Sequence, residues 1–327
     1  MNGARFQLSF AIREAVHIDA ARRAIVREVR LANQNETFLG RLTVVIQELA
    51  RNLINHAGEG ELLFSQSEQA VELLAVDNGP GMANVAQCLT DHYSTAGTLG
   101  AGLGAIRRMS DHFDLFSQPG QGTVAFASLN LGLPIPAAYS VGAVCTPYPG
   151  EDVCGDGWAT SGNRVLVCDG LGHGHAASQA SQKARELFLS HNPTLPLNEL
   201  MEQLHRALAS TRGGATAIAE IQPEVGQVQF CGVGNIAGVL LAGKSRSMVS
   251  GNGTVGYKVG RIQTFSYPWD DQTLLVMASD GINTRLDLSR YPGLQSRHPA
   301  VVAGLIHRDF KRLNDDATVV VVKRERA

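Results

Sequence analysis

Hydrophobic and polar residues follow different periods in the two halves of the chain. In the first half, residues 4–12 alternate as in a half-buried strand, whereas residues 18–33 and 37–57 repeat with a helical period. Further strand patterns follow at residues 61–65, 71–82, 113–118 and 123–131. A further helical pattern lies at about 103–112. The first half is therefore predicted to be an α+β sandwich, with a mostly antiparallel sheet and helices on one face.

Strand patterns dominate the second half. They lie at residues 139–148, 163–170, 215–222, 227–235, 237–242, 273–281 and 317–324. Two helical patterns lie among them, at about 175–190 and 197–210, which predicts a β-sandwich flanked by helices. Between the halves, the stretch "LGLPIPAAYS" has two prolines and no period. The predicted organisation is one domain at 1–132, a linker at 133–139 and a second domain at 140–327.

Composition narrows the classes of function. The 327 residues carry a net charge of −2 and no long basic run, which argues against nucleic acid as a partner. The five cysteines form no CxxC pair, so neither a disulfide framework nor a zinc site is predicted. Charges near the N-terminus do not fit a signal peptide, and no apolar run approaches the roughly 20 residues of a membrane span. We therefore expect a cytoplasmic protein that does not bind membranes.

Three polar segments of the first half suggest a nucleotide site. Glu48 and Asn52 are four residues apart, so they share a helix face on which their oxygens suit Mg²⁺. The strand that ends at Asp77 runs into the turn "NGPGM". A glycine-rich loop, "STAGTLGAGLG", precedes a helix, as phosphate-binding loops do. The loop fits neither a P-loop nor a Rossmann fingerprint.

Together and in this order, the three segments resemble the GHKL (Bergerat) ATPase fold. The resemblance implies that Asn52 binds Mg²⁺, that Asp77 accepts a hydrogen bond from the adenine amino group of ATP, and that the glycine loop wraps the phosphates. The matching nucleotide-binding positions are Asn52, Asp77, Gly79, Gly81, Gly100, Gly102, Gly104 and Thr123.

Within that superfamily, residues 5–131 look like the small serine kinases of the anti-sigma and RsbT type, which act on STAS-domain proteins of partner-switching and stressosome pathways. By this resemblance Glu48 is the general base, and the partners are STAS-domain proteins, with a sigma factor as a further candidate. Asn55 departs from the pattern, because many relatives carry Lys or Arg there. A sensor histidine kinase is disfavoured, since no long dimerising helix pair precedes the Asn52 helix.

Acidic residues of the second half lie at the ends of predicted strands. They are Asp156, Asp169, Asp280, Asp315 and Asp316. Crowded carboxylates repel one another unless cations lie between them, and Mg²⁺ or Mn²⁺ prefer such oxygen ligands. Two ions about 4 Å apart would activate a water for attack on phosphorus. His173 and His175 lack partners at zinc-ligand spacing, so we assign them to a turn or a helix start.

The order "CGDGW", "DGLGHG", "SDG" and "DDAT" resembles the PPM-type metal-dependent Ser/Thr phosphatases, in the SpoIIE and RsbX branch, over about residues 140–324. This resemblance implies metal ligation by Asp156, Asp169, Asp280 and Asp315, with Asp316 as the alternative to Asp315. Gly170 would add its backbone carbonyl. The implied cofactors are two Mn²⁺ or Mg²⁺ ions in this half, beside ATP and Mg²⁺ in the first.

Two functions follow from these resemblances. The first is a bifunctional partner-switching regulator, in which an ATP-dependent Ser/Thr kinase and a metal-dependent phosphatase act on STAS-domain proteins. The second has only the phosphatase active, while the first domain is a non-catalytic, nucleotide-gated binding module for a sigma factor or a STAS-domain partner.

Overall fold

The computed structural model describes residues 2–3, 6–31, 34–88, 102–133, 138–242 and 245–325. The strands are β1 Asn2–Gly3, β2 Phe6–Ile12, β3 Gly60–Gln66, β4 Ala70–Asp77, β5 His112–Ser117, β6 Thr123–Asn130, β7 Tyr139–Thr146, β8 Asp156–Ser161, β9 Arg164–Gly170, β10 Gly214–Gln222, β11 Gln227–Val233, β12 Ala237–Leu241, β13 Ser245–Ser247, β14 Ser250–Gly251, β15 Gly253–Thr254, β16 Lys258–Val259, β17 Phe265–Pro268, β18 Leu274–Ala278 and β19 Ala317–Arg324. The helices are α1 Ala15–Leu31, α2 Glu36–Asn52, α3 Val85–Cys88, α4 Gly102–Met109, α5 Gly174–Ser190, α6 Leu197–Leu208 and α7 Pro299–Phe310.

The chain divides into two compact units. One contains Phe6–Ile135 and Ser296–Leu305, and the other contains Met1–Arg5, Pro136–Gln295 and Ile306–Ala327. Among the described residues, no helix combines the length and the apolar character needed to cross a bilayer.

The first unit is built on one antiparallel sheet of five strands, in the order β2-β3-β4-β6-β5. Apolar residues of α1, α2 and α4 pack with those of the sheet in a single core that includes Ile25, Leu42, Ile46 and Phe64. The α+β class that the strand and helix periodicities predicted for the first half is confirmed.

The helix α2 begins and ends at identifiable signals. The Asn35 side chain accepts a hydrogen bond of 2.8 Å from the Phe38 N–H and caps its start. The pattern at residues 37–57 predicted one continuous helix, but the α-helix ends at Asn52 and a π-helical turn follows over Leu53–Ala57. Gly58, with φ +82°, ends that turn. The π turn lies directly beside Asn52, one of the predicted ligand residues, and such turns are frequent at functional sites.

The second unit is a sandwich of two larger sheets. One has the order β1-β8-β9-β10-β11-β14, with β17 also paired to β11, and the other has the order β13-β12-β18-β19-β7. A core that includes Val167, Phe230, Met277 and Val320 combines apolar residues from both sheets. Another core packs α5 and α6 against the first of these sheets. This is the predicted β-sandwich flanked by helices.

The strand β8, the helix α7 and the short strands β13 to β17 of the second half were not predicted. The strand β8 is short and follows a polar, glycine-rich stretch. The helix α7 was missed because its residues are mostly buried, as at Val301, Ala303 and Leu305, so "PAVVAGLIHRDF" shows no polar face. Prediction of only two helices in this half was therefore wrong.

Candidate functional site: two cavities

Asn52 and Glu48 lie together at the C-terminal end of α2. They line a cavity of about 910 Å³, whose wall also includes Asp77, Gly81, Gly102 and Thr123. The start of α4 comes close to both, because a Cβ placed on Gly102 would lie 3.3 Å from Glu48 Oε2 and 3.4 Å from Asn52 Oδ1. The first N–H groups of a helix lack partners within the helix and favour anions. A carboxylate, an amide and a helix N-terminus therefore meet at one end of this cavity.

Glu48 is already paired with a cation. Its Oε1 accepts a hydrogen bond of 2.8 Å from Arg51 Nη1, and Arg51 and Asn55 also line the cavity. The sequence analysis did not assign Arg51 a role, although its position three residues after Glu48 places the two side chains on one helix face. The cavity therefore has a guanidinium four positions before Asn55, at the last turn of α2.

Asp77 joins two loops at the other end of the cavity. It ends β4 opposite Thr123 of β6, and its Oδ1 accepts hydrogen bonds from the N–H groups of Gly79 at 2.8 Å and Thr123 at 3.1 Å. The predicted residues Asp77, Gly79 and Thr123 are thus physically linked through one carboxylate oxygen.

Gly81 lies where a side chain would not fit. Its φ is +68°, and an added Cβ would lie 1.9 Å from the carbonyl oxygen of Gln118. The two loops also exchange backbone hydrogen bonds, from Gly120 N–H to Pro80 O at 2.7 Å and from Gly122 N–H to Gly79 O at 3.0 Å. The glycines of "NGPGM" therefore permit close approach of two loops at the cavity wall.

Two of the predicted glycines, Gly79 and Gly104, do not line the cavity, although the Gly79 N–H bonds to Asp77. Gly104 is buried within α4 and is not among the residues that line the cavity. Gly100 lies outside the described residues, so its predicted phosphate contact stays a prediction.

In the second unit, strand pairing brings the first two aspartates together. Asp156 at the start of β8 lies directly opposite Asp169 near the end of β9, and residues opposite each other in an antiparallel pair share a face of the sheet. A Cβ on Gly170 would lie 2.1 Å from the carbonyl oxygen of Ala177. Only glycine therefore allows α5 to pack this closely against the end of β9.

The other aspartates come from the second sheet. Asp280 follows the end of β18 and Asp315 precedes the start of its antiparallel neighbour β19, so both lie at the same end of this pair. Asp169, Asp280 and Asp315 line one cavity of about 600 Å³. The sandwich thus gathers carboxylates that are up to 146 positions apart, from Asp169 to Asp315.

Asp315 and Asp316 have different surroundings. Asp315 lines the cavity, whereas Asp316 is only 2% exposed and its Oδ1 accepts a hydrogen bond of 2.8 Å from the Tyr148 N–H. Its Oδ2 is buried without a hydrogen-bond partner. Asp315 therefore faces the cavity, whereas Asp316 is buried.

Burial and mutual repulsion disfavour the charged form of the aspartates in this cluster. Burial, with repulsion by neighbouring aspartates, raises the pKa of Asp156 to about 7 and that of Asp169 to about 9. Hydroxyl groups of Ser279 and Thr318 oppose the rise at Asp156. The pKa of Asp315 is also raised, by burial and by Asp280. Charged carboxylates are disfavoured here as long as nothing neutralises them.

Asp156 gives the most direct test of whether a divalent ion fits. Both of its carboxylate oxygens are buried without a well-formed hydrogen bond, although the Ser279 and Thr318 hydroxyls lie near them, and such burial is costly unless a further group binds the oxygens. Within the described residues, no three acidic, histidine or cysteine side chains are arranged as a ready ligand set for one ion. Carboxylate oxygens are nevertheless the ligands that Mg²⁺ and Mn²⁺ prefer, and these ions complete their coordination with water and backbone carbonyls.

Residues beyond the predicted set support this cavity. The Asn235 side chain donates a hydrogen bond of 2.6 Å to Asp280 Oδ2. His173 lines the same cavity, and its Nδ1 lies 2.8 Å from Glu151 Oε1. We assigned His173 to a helix start, and it does occupy the position before α5, but its side chain makes no capping hydrogen bond there.

Comparison with known protein families matches each unit to a different model. The model "Stage II sporulation protein E (SpoIIE)" matches residues 160–325, and the model "Histidine kinase-like ATPase domain" matches residues 11–127. The fusion that the motifs predicted is thereby confirmed at the level of families.

Two curated relatives from Bacillus subtilis (strain 168) match one half each. Serine/threonine-protein kinase RsbT is 39% identical over 87 residues, which cover 25% of this chain and 65% of the kinase. Phosphoserine phosphatase RsbX is 25% identical over 140 residues, which cover 41% of this chain and 70% of the phosphatase. This chain therefore spans slightly less than two thirds of the length of RsbT.

A solved structure supports the fold of the second half. The crystal structure of RsbX in complex with magnesium matches with a TM-score of 0.51 and 20% identity, covering 59% of this chain and 99% of that chain. At this level of identity the match shows a shared fold.

Proposed function

Because the chain belongs to the Stage II sporulation protein E (SpoIIE) family, we propose that its domain at residues 140–327 is a metal-dependent phosphoserine and phosphothreonine protein phosphatase. The observation that carries the proposal is the gathering of Asp156, Asp169, Asp280 and Asp315 from separate strand ends, where burial and mutual repulsion raise the pKa values of Asp156, Asp169 and Asp315. Similarity to a phosphoserine phosphatase supports the substrate class.

The residues of this cluster have distinct tasks. Asp156, Asp169, Asp280 and Asp315 would hold two Mn²⁺ or Mg²⁺ ions through their carboxylates, and Gly170 would add its carbonyl. The ions would supply an activated water and neutralise the phosphate charge. Asn235 keeps Asp280 in place through its hydrogen bond.

For residues 1–132 we propose an ATP-dependent Ser/Thr protein kinase. Asn52 would bind Mg²⁺, Asp77 would accept a hydrogen bond from the adenine amino group, and the start of α4 at Gly102 would face the phosphates. Glu48 would accept the proton of the substrate hydroxyl. Support comes from the cavity of about 910 Å³ that these residues share, which falls within the usual size of cofactor sites, about 300–1,000 Å³.

The partners proposed for both activities are STAS-domain proteins, and the pathway is partner switching in the cytoplasm. The proposal rests on the resemblance of the first half to RsbT-type kinases and on the presence of an opposing phosphatase in the same chain. A kinase and a phosphatase acting on one residue would consume ATP without effect. We therefore expect different target residues, or a signal that separates the two activities.

Kinase activity is tested in a background that cannot remove the phosphate. The full chain with Asp169→Asn is incubated with labelled ATP and a STAS-domain protein from the same cell. Label should pass to the partner, and adding Glu48→Ala or Asn52→Ala should abolish the transfer. Glu28→Ala, on α1 and outside the cavity, is the matched control and should transfer label normally.

Phosphatase activity is tested on a phosphoserine peptide with added Mn²⁺. Asp169→Asn and Asp280→Asn should abolish phosphate release, whereas Asp271→Asn, whose partner is Arg324, should retain it. Release that needs no metal, or that survives in both cavity variants, would refute the metal assignment.

One observation favours a second candidate for the first domain. The Glu48 carboxylate is ion-paired with Arg51 at 2.8 Å and is therefore already occupied, while Asn55 lacks the charge expected at its position. In that case the domain is a nucleotide-gated binding module for a sigma factor or a STAS-domain partner. ATP binding and ATP-dependent complex formation without any label transfer, in the Asp169→Asn background, would establish this candidate.

A further inference from the structure

Two cysteines of the second domain lie side by side next to the aspartate cluster. Cys145 is the last residue but one of β7, Cys154 comes two residues before Asp156, and their Sγ atoms are 3.5 Å apart. Both side chains are half-buried, and neither is in a disulfide. The sequence has no CxxC pair, but these two thiols meet across nine positions because residues 147–155 fold back from β7 to β8.

The surroundings of the two thiols hold them at this separation. The Cys154 thiol donates a hydrogen bond of 3.3 Å to the carbonyl oxygen of Thr146. Cys145 Sγ lies 4.0 Å from the carbonyl oxygen of Asp156, and its backbone pairs with Thr318 of β19. The thiol pair therefore connects a strand of one sheet to the segment that leads into β8.

A disulfide between these cysteines would require the loop to move. The two sulfurs would have to approach from 3.5 Å to about 2.05 Å. The strand β7 pairs with β19 along its whole length, whereas Cys154 lies in no helix or strand. Cys154 is therefore the partner that shifts.

The residues after Cys154 have little space to absorb such a shift. An added Cβ on Gly155 would lie 2.6 Å from Asp316 Oδ2 and 2.8 Å from Ala177 Cβ, so the loop is closely packed here. The next residue is Asp156, whose carboxylate belongs to the cluster. A displacement of Cys154 is therefore transmitted to Asp156 and, through Gly155, to Asp316.

We propose that Cys145 and Cys154 are an oxidative modification site, at which a peroxide forms a disulfide that lowers the metal affinity of the aspartate cluster. In the cytosol such bonds are usually transient and serve redox sensing. The effect on phosphate release rests on the phosphatase function proposed above, whereas the formation of the disulfide does not.

The reaction is balanced with hydrogen peroxide as the oxidant. One of the two thiol sulfurs bonds to a peroxide oxygen, the O–O bond breaks, and the departing hydroxide takes the thiol proton to form water, which leaves a sulfenic acid. The other sulfur then bonds to the first, the S–O bond breaks, and the second hydroxide leaves as water with the second thiol proton. The cysteine pair loses two electrons, and the peroxide gains them.

The first experiment tests for the modification itself. The full chain is freed of metal with EDTA, treated with hydrogen peroxide and then with catalase. Mass spectrometry of proteolytic peptides should show Cys145 linked to Cys154 with loss of two hydrogens, and dithiothreitol should reverse the link. Cys145→Ser and Cys154→Ser should each abolish it. Cys88→Ser, which removes a half-buried thiol of the first domain, is the matched control and should retain it.

The second experiment measures the consequence for metal binding. Oxidation should lower Mn²⁺ affinity about 10-fold or more, the range for loss of a group that orients a ligand, as measured by calorimetry. Phosphate release from a phosphoserine peptide at limiting Mn²⁺ should fall with it and recover with dithiothreitol. Cys145→Ser and Cys154→Ser should keep the rate of the reduced wild type after peroxide, whereas Cys88→Ser should remain sensitive.

Linkage provides a readout that needs no activity. If the disulfide lowers Mn²⁺ affinity by a given factor, saturating Mn²⁺ must shift the thiol–disulfide equilibrium towards the thiols by the same factor. The oxidised fraction of wild type in a glutathione redox buffer, with and without Mn²⁺, measures that shift.

The failure of this inference differs from failure of the proposed function. Absence of the link after peroxide, or oxidation of single cysteines to sulfinic acid without a link, would refute the modification site. A disulfide that forms while Mn²⁺ affinity stays the same would refute the proposed effect on the metal site. If the reduced wild type releases no phosphate, the phosphatase proposal fails, while the link and the Mn²⁺ affinities still decide this inference.

Discussion

The side-chain amide of Asn235 donates a hydrogen bond of 2.6 Å to Oδ2 of Asp280. Asn235 follows β11 in one sheet, and Asp280 follows β18 in the other, so the contact connects the two sheets of the sandwich at the cavity. A hydrogen bond of this kind limits rotation of the Asp280 carboxylate at the cavity wall. Partners that orient a ligand in this way are as much a part of a metal site as the ligands themselves.

Removing that partner should weaken metal binding without removing a ligand. Asn235→Ala is expected to lower Mn²⁺ affinity about 10- to 100-fold, as is typical for loss of a group that orients a ligand. Titration of the metal-free protein by calorimetry measures the change. Asn192→Ala is the control, since that side chain bonds to Thr194 instead. Equal Mn²⁺ affinities for wild type and Asn235→Ala would show that the hydrogen bond from Asn235 to Asp280 does not contribute to metal binding.

Stability of the metal-free protein should fall as pH rises. The folded-state pKa values of Asp156 and Asp169, about 7 and about 9, lie above the ordinary value of 3.8. Between about pH 4 and pH 9 the unfolded chain therefore ionises these groups more readily than the folded one, and the linkage disfavours folding. Added Mg²⁺ should stabilise the fold, and by more at high pH than at low pH.

The measurement is the thermal midpoint with EDTA or with Mg²⁺ across this range. Asp156→Asn isolates the contribution of one carboxylate, because an amide does not ionise. It should be more stable than wild type in EDTA at about pH 8 and should gain little from Mg²⁺. A wild-type midpoint in EDTA that rises steadily with pH, and that Asp156→Asn does not alter, is incompatible with this account.

Much of the aspartate cluster was predictable because its members lie at strand ends. Asp169 follows an apolar run and Asp280 precedes "GI", so both could be placed at the edge of a sheet from the alternating pattern alone. The register that sets Asp156 opposite Asp169 was not predictable, since β8 has no clear alternation. The packing of the two sheets against each other was not predictable either, because it depends on contacts between residues far apart in the sequence.

The sequence analysis also missed side chains that contact and orient other residues of the two cavities, for a related reason. Glu151 and His173 are separated by 22 positions, and Asn235 and Asp280 by 45, so no local spacing connects them. Arg51 is different, because a helix places it beside Glu48 and its pairing was predictable from the i, i+3 rule. The length of α2 was overestimated for a physical reason as well, since a π turn continues the apolar pattern past Asn52.

Asp77 should determine nucleotide affinity in the first domain. Asp77→Asn replaces one acceptor oxygen with a donor, in a position where the carboxylate accepts from Gly79 and Thr123. Hydrogen bonds to charged groups contribute about 1.5–3 kcal/mol, so ATP affinity is expected to fall about 10- to 100-fold. Calorimetric titration with ATP and Mg²⁺ tests this, with Asp19→Asn on α1 as the control.

If Asp77→Asn binds ATP as tightly as wild type, Asp77 does not contact the base. If Asp77→Asn and Asp19→Asn lose ATP affinity to the same extent, the loss reflects the net charge of the domain and not a contact with the nucleotide. Retained peptide hydrolysis in Asp77→Asn would show in addition that the phosphatase domain is intact.

Gly81 should be the glycine that the first domain tolerates losing least. Alanine at φ +68° costs about 1–2 kcal/mol by itself, and its Cβ would meet the Gln118 carbonyl oxygen at 1.9 Å, so the two loops must separate. Gly81→Ala is therefore expected to lower the free energy of unfolding of this domain by about 2 kcal/mol or more. Since the loops line the cavity, ATP affinity should fall with it.

Gly40→Ala is the matched control on the same domain. Gly40 lies on the exposed side of α2, and nothing lies within 4 Å of an added Cβ. Alanine there should stabilise the domain by about 0.5–1 kcal/mol, because glycine loses more backbone freedom in a helix. Urea denaturation, following the transition that ATP and Mg²⁺ shift, measures both variants. The change in the free energy of unfolding should be negative for Gly81→Ala and positive for Gly40→Ala. If Gly81→Ala leaves this free energy unchanged, the loops of Gly81 and Gln118 do not approach each other as closely as in the structure.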